Sequence, residues 1–241
     1  MVIDRTSPVP LYYQLKQQML AKIESGEWKP GDSVPTEQEL QQSYRLSRTT
    51  VRQALAEMVR EGKLTRQRGR GTFVAQPKFQ HDPLRHRGIG QYLLEQGLTP
   101  GWKVLDERRI VASAEVCAQL GLARGARVYC LQRLRLADDE PIGYLVSYVP
   151  ETLAQGIDRS ALDQGGSTDY LRNLPAMHES CVERSIEAVA AGEPEAKLLR
   201  IKRGLPLLSI QRLITAKDGR PIEFLRALYR GDRMKFQVTC G

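Results

Sequence analysis

The run Ser47-Arg-Thr-Thr-Val-Arg-Gln-Ala-Leu-Ala-Glu-Met-Val-Arg60 has two faces. At about 100° per residue, Val51, Ala54, Leu55, Met58 and Val59 form one apolar stripe. Thr49, Arg52, Gln53, Ala56 and Arg60 fall opposite, with Arg48 on the shoulder. Ser47 is a good N-cap, and Gly62 ends the helix. Hydrogen-bonding side chains thus line an exposed face around the small Ala56, so a flat partner can come close. Residues 63–67 and 72–75 then read as strands. The tip between them, Arg68-Gly-Arg-Gly71, has two glycines for unusual backbone angles and two arginines.

Upstream, Leu11, Leu15, Met19 and Ile23 recur at four-residue spacing. They predict an amphipathic helix stopped near Gly26 and Pro30. A short helix follows Pro35, with Thr36 as cap and Glu39 at the capping-box position. Two helices joined by a tight turn, then a basic hairpin, predict a winged helix-turn-helix over 1–75. Charge agrees: 45–70 carries eight Lys+Arg against two Glu, +6, in a chain whose total is +8. A helix of this width fits the DNA major groove, where Arg and Gln read base edges. Helix N-termini at Thr36 and Ser47 suit phosphates. A narrow hairpin with arginine tips suits the minor groove.

Pro10-Leu-Tyr-Tyr-Gln-Leu15, Pro30-Gly-Asp-Ser-Val-Pro-Thr-Glu37, Leu46-Ser-Arg-Thr-Thr-Val-Arg-Gln-Ala-Leu55 and Gly69-Arg-Gly-Thr-Phe-Val74 together resemble the GntR family of bacterial transcription regulators. The resemblance covers nearly all of 8–75. Val34 stands where the pattern usually has Leu, and Arg45 where it usually has Gly. By motif position, the resemblance implies DNA contacts from Ser47, Arg48, Thr49, Thr50 and Arg52, and from the wing at Arg70, Gly71 and Thr72. Thr36 joins them as a helix start able to meet a phosphate.

Composition excludes other classes. Hydrophobic residues are 41% and charged residues 27%, a balance that supports a folded globular chain rather than a disordered one. No apolar run nears the roughly 18 residues of a membrane span, and Met1–Pro10 lacks the apolar core of a secretory signal. Cys117, Cys130, Cys181 and Cys240 lie far apart without C-x-x-C spacing, which suits a reducing cytoplasm. His81, His86 and His178 are too few and scattered for a metal site, and no metal or cofactor is expected. The join at 76–87, which holds His81, Asp82 and His86, reads as a linker.

Residues 88–241 carry only +2 and contain a weak internal repeat. Arg124, Gly125, Gln132, Arg133 and Leu134 match Arg203, Gly204, Gln211, Arg212 and Leu213 at an offset of 79. Asp138, Pro141, Ile142 and Leu145 match Asp218, Pro221, Ile222 and Leu225 at an offset of 80. Each unit reads helix, glycine turn, strand, polar hairpin, strand. With a strand at 102–111 before them, they predict an α+β domain, an antiparallel sheet covered by helices. A cleft between two like halves is a natural ligand site.

Alternation puts Tyr129, Leu131, Arg133 and Arg135 on one strand face, and Glu223, Leu225, Ala227 and Tyr229 on another. A carboxylate in that apolar company is costly unless paired or used. Arg133 and Arg135 stand two apart and repel unless an anion or a carboxylate offsets them, and Glu223 can be that carboxylate. The residues alone leave three roles open: exposed edge arginines, a structural Arg–Glu pair, or ligand contact.

This half resembles the UTRA effector-binding domain of HutC-type GntR regulators, over roughly 85–241. The resemblance rests on Gly125-Ala-Arg-Val-Tyr-Cys-Leu-Gln-Arg-Leu-Arg135, Asp138-Asp-Glu-Pro-Ile142, Gly166-Ser-Thr-Asp-Tyr170, Gly219-Arg-Pro-Ile-Glu223 and Tyr229-Arg-Gly-Asp-Arg-Met-Lys-Phe236. It implies a chorismate-lyase-like fold and an effector pocket with Arg133, Arg135, Ser167, Glu223 and Tyr229. Gly90 stands where many sugar-phosphate binders have a hydroxyl residue, and Asp169 where a tyrosine is usual. Both departures count against a phosphosugar effector.

The expectation is therefore a two-domain, cytoplasmic transcription regulator, with 1–75 binding DNA and 88–241 binding a small anionic metabolite. It represses a catabolic or uptake operon as a homodimer on a palindromic operator of double-stranded DNA, away from any membrane. Two rivals are weaker. A constitutive DNA-binding protein with a structural C-terminal domain leaves the costly Glu223 unexplained. A lyase-like enzyme has no nucleophile–base constellation or metal spacing to support it.

Overall fold

The structure, a computed structural model, describes residues 3–67, 69–76, 78–81 and 89–237, and of 79–81 the strand alone. The chain divides into two compact units, Met1–Pro77 and Lys78–Gly241. The first holds α1 (Leu11–Glu24), α2 (Glu37–Tyr44), α3 (Arg48–Arg60) and a hairpin of β1 (Leu64–Gln67) and β2 (Gly71–Val74). α2 begins at a complete capping box: the Thr36 hydroxyl accepts from the Glu39 N–H, and the Glu39 carboxylate accepts from the Thr36 N–H. α3 begins where Ser47 Oγ accepts from the Thr50 N–H. Between them Arg45 adopts the left-handed region, φ 51°, where the family pattern has glycine. That conformation costs a non-glycine residue about 1 kcal/mol. The Arg5 guanidinium donates to the Arg45 carbonyl at 2.6 Å.

The apolar stripe of α3 is the core of this unit. Val51, Ala54, Leu55 and Met58 pack with Leu15 and Met19 of α1, Leu40 of α2, and Leu64 and Val74 of the hairpin. Buried Lys16 ties α1 to α3 through Glu57 at 3.4 Å and Glu61 at 2.5 Å. A bridge from Ser33 to Phe73, and the Val34 N–H donating to the Thr72 carbonyl, back the hairpin from its other edge.

The second unit contains β3 (Phe79–His81), α4 (Ile89–Glu95), β4 (Pro100–Val111), α5 (Ala114–Leu120), β5 (Arg127–Ala137), β6 (Glu140–Pro150), β7 (Cys181–Ala190), α6 (Glu193–Leu198), β8 (Pro206–Thr215), β9 (Pro221–Arg230) and β10 (Met234–Phe236). Six strands form one antiparallel sheet in the order β4-β5-β6-β9-β8-β7. β3 pairs with β10, so part of the stretch that reads as a linker is a strand of this unit. The hairpin-tip Arg68, the His81 side chain, Asp82, His86 and Cys240 lie outside the described residues.

The sheet order reads the same from either end because the repeat builds it twice. Arg133 lies opposite Leu145, and its counterpart Arg212 lies opposite Leu225. Val146 and Arg226 are both strand partners and counterparts 80 residues apart, which puts the pseudo-two-fold axis between them. On one face α5 packs Val116, Cys117 and Leu120 against Val128 and Phe224. Four short 3-10 turns between 151 and 177 lie on the other face, packing Leu162, Tyr170, Leu171 and Leu174 against Tyr129 and Leu131. Edge strand β7 is exposed along almost its whole length. Among the described residues no helix is long and apolar enough to cross a membrane.

Candidate functional site

In the N-terminal unit, Thr49, Arg52, Gln53, Ala56 and Arg60 are all exposed on the outer face of α3, with Arg48 beside them. Thr50 is half-buried, and its hydroxyl stands 2.8 Å from Ser47 Oγ, so these two serve the cap first. Thr36 is exposed at the start of α2. On the wing, Arg70 and Gly71 are exposed and Thr72 is half-buried. The Arg70 guanidinium stands 6.0 Å over the Phe73 ring. The tip depends on glycine: Gly69 and Gly71 have φ of 76° and 120°.

Glu37 and Arg66 join this face although sequence reasoning did not single them out. The Glu37 carboxylate lies 3.8 Å from Arg48 Nε, 4.0 Å from Arg52 Nε and 3.6 Å from Arg66 Nη2. One acid on α2 therefore gathers arginines from α3 and β1. Such an array offers fork-shaped donors to guanine edges and phosphates, with one acceptor among them.

In the C-terminal unit the expected residues share one sheet face but do different things. Arg133 and Arg135 are 0% and 1% exposed. Arg133 donates to the carbonyls of Leu162 at 3.0 Å and Ser167 at 2.9 Å, and Arg135 to that of Gly165 at 3.3 Å. The Trp102 ring lies 4.3 Å from the Arg133 guanidinium carbon and 4.5 Å from that of Arg135. Burial holds both guanidiniums below the ordinary arginine range. Glu223 offsets Arg133 through its charge alone, and its hydrogen bonds go elsewhere. It accepts from Arg212 Nε at 3.1 Å and Nη2 at 2.6 Å, and from the Tyr170 hydroxyl. Burial, then the Glu223 charge, push the Tyr170 phenol well above its usual range, so it stays a donor.

Beside this network opens a small pocket. Ser167, Arg184, Arg212 and Tyr229 are its polar lining, and Ile89, Ile186, Ile210, Leu225, Ala227 and Phe236 its apolar lining. Of the five expected residues it brings Ser167 and Tyr229 to the surface of the pocket. Arg133, Arg135 and Glu223 stay behind it. Ser167 joins the two halves: its hydroxyl accepts from Arg212 Nη1 at 2.9 Å, and its carbonyl accepts from Arg133. Arg212 was legible as the repeat counterpart of Arg133. Arg184, on the exposed edge strand, carried no signal beyond alternation.

Both departures from the family pattern have local causes. A Cβ on Gly90 would meet Arg135 Nη2 at 2.6 Å, so Arg135 occupies the space of a side chain there. Asp169 takes the Gly166 N–H at 2.8 Å. Among the described residues no group of His, Cys, Asp and Glu could hold a metal.

Residues 11–74 match the model of the bacterial regulatory proteins of the gntR family, and 95–235 match the UTRA domain. The HTH-type transcriptional repressor NagR of Bacillus subtilis is 34% identical over 98% of this chain and 97% of its own length. The histidine utilization repressor of Pseudomonas aeruginosa is 32% identical over 95% of this chain and 91% of its own. The crystal structure of PhnF from Mycobacterium smegmatis superposes with a TM-score of 0.61 at 27% identity, covering 95% of this chain and 98% of that one. These relatives are regulators rather than enzymes. A winged helix with an exposed Arg/Gln/Thr face and a six-stranded sensor sheet, in one chain matched end to end by such proteins, make it a member of the GntR family of DNA-binding transcription regulators, of the HutC type with a UTRA effector domain.

Proposed function

We propose that the chain acts in the cytoplasm as a homodimeric repressor. It binds a palindromic operator through 1–75 and changes its hold when a small anionic metabolite occupies 88–241, with 76–87 joining the two. The observation that carries this reading is the exposed α3 face, where Thr49, Arg52 and Gln53 point away from a fully apolar core stripe. Arg48, Arg52 and the wing residues Arg70, Gly71 and Thr72 contact DNA. Ser47, Thr49, Thr50 and Thr36 present hydroxyls and helix starts to phosphates. A single winged helix reads few bases, so two copies on a palindrome supply affinity. Repression of a catabolic operon is supported by the names of the relatives, above all the histidine utilization repressor.

In the sensor unit, Ser167 and Tyr229 contact the effector. Glu223 holds Arg212 in place, and Arg133 and Arg135 hold the 162–167 loop that carries Ser167. A ligand that favours one arrangement of this loop supplies the differential affinity a switch needs. Footprinting of the full chain on DNA flanking its own gene tests the reading. Two protected half-sites about one helical turn apart are expected. A single protected site, or none, would refute the dimer on a palindrome.

A further inference from the structure

The six-stranded sheet ends in β4 on one side and β7 on the other. An edge strand shows a row of N–H and C=O groups ready to pair with another chain, unless a bulge, a charged run or a proline blunts it. β4 is blunted. Its pairing with β5 shifts between Val104 and Asp106, which leaves Leu105 as a bulge, and Asp106, Glu107, Arg108 and Arg109 follow as an unbroken charged run. β7 is not blunted in this way. Its ladder to β8 runs from Cys181 opposite Thr215 to Ala190 opposite Pro206 without a shift, and the strand holds no proline or lysine. Its apolar side chains Val182 and Ile186 are 38% and 41% exposed and lie on one face.

The charges on β7 fit it to a second copy of itself in one register. About a two-fold axis normal to the sheet, an antiparallel copy sets residues of the same face opposite each other. An axis through Glu183, Arg184 or Glu187 sets that charge against itself, and an axis through Ser185 sets Glu183 against the partner's Glu187. Like charges directly opposite destabilise a strand pair. An axis through Ile186 avoids every such clash and pairs the whole of 182–190: Ile186 meets Ile186, Val182 meets Ala190, Arg184 meets Ala188, Glu183 meets Val189, and Ser185 meets Glu187. An axis through Ala188 avoids the clashes too but pairs only 186–190. We infer that β7 is the docking edge for a second copy of this chain, joined antiparallel about an axis at Ile186 so that one sheet runs through both protomers. The inference rests on the homodimer proposed above and names the surface that joins it. Ile186 also lines the pocket, so the partner's Ile186 stands beside the pocket wall, and a ligand that displaces β7 acts on both protomers.

Sedimentation of the full chain over a dilution series, wild type beside Ile186→Lys, tests it. The wild type should be a dimer. The variant sets a lysine against its own copy and should dissociate at least about tenfold more readily. Ile186 lies exposed at the sheet edge, so the variant protomer keeps its circular dichroism. Disulfide trapping reads the register. Cys117 and Cys130 are buried, and Cys181→Ser with Cys240→Ser removes the other two thiols. In that background Ile186→Cys places two Cα atoms about 4.5–5.5 Å apart across the axis, within disulfide reach. Arg184→Cys and Ala188→Cys place theirs more than about 13 Å apart, beyond it. Mild oxidation should yield a covalent dimer from Ile186→Cys and none from the other two. A wild-type dimer that Ile186→Lys leaves unchanged, or trapping at 184 or 188 in place of 186, would overturn the assignment while the homodimer reading stands. A wild type that stays monomeric at every concentration would refute the homodimer, and this edge with it.

Discussion

Glu223→Gln keeps the side-chain shape and removes one charge from a closed network. Glu223 is 0% exposed and Arg212 6%, and the carboxylate takes two nitrogens of Arg212 and the Tyr170 hydroxyl. With Gln in place, a buried guanidinium loses its counter-charge. Breaking one side of a buried pair costs about 3–5 kcal/mol. At about 2–4 °C per kcal/mol for a unit of this size, the melting of the sheet should fall by about 6–20 °C. Scanning calorimetry on the full chain reads this directly. The double variant Arg212→Met/Glu223→Leu should recover most of the loss, because it removes both charges and keeps the volume filled. A single-variant shift below about 2 °C, or a double variant no better than the single, would refute the reasoning that this pair is held as a unit.

Glu37→Gln should release Arg48, Arg52 and Arg66 from their shared acid; affinity for random DNA should rise severalfold and the operator-to-random ratio should fall, as read by fluorescence anisotropy. Log affinity for the operator should fall with log salt at about −0.9 per neutralised phosphate, and Arg70→Ala should make that slope shallower by about one per protomer; equal slopes would remove Arg70 from the interface. The Glu39 carboxyl sits below its ordinary value because it accepts from the Thr36 N–H and hydroxyl. Its contribution is therefore full above the unfolded value of about 4.3 and is lost as pH falls through the lower folded value, so Glu39→Gln should flatten the acid limb of the N-terminal unit's melting curve.

The DNA-binding unit was legible because its signals are local. The stripe at Val51, Ala54, Leu55 and Met58 and the cap residues Thr36 and Ser47 act within four residues of themselves, and the structure uses each of them. The sheet was legible through the repeat, since matched strands must pair in matched register. The charge network was not. Alternation puts Glu223 on the same side as Arg133, but it cannot choose among arginines on different strands, and the diagonal neighbour Arg212 takes it. β7 buries neither face, so Val182, Arg184 and Ile186 lack the hydrophobic contrast that marks a core strand. The 151–177 stretch has no periodicity at all, yet it supplies the carbonyls that accept from Arg133 and Arg135.

Titrating operator DNA with the wild-type chain and with Arg52→Ala, at one fixed salt concentration, separates base reading from scaffold. Arg52 is exposed and contributes nothing to the α3 core, so the variant keeps its melting temperature. A base contact is worth about 1–3 kcal/mol and occurs twice in a dimer, so operator affinity should fall at least about thirtyfold while binding to random DNA changes little. Wild-type operator affinity from a folded Arg52→Ala chain would contradict the assignment of α3 as the helix that reads DNA.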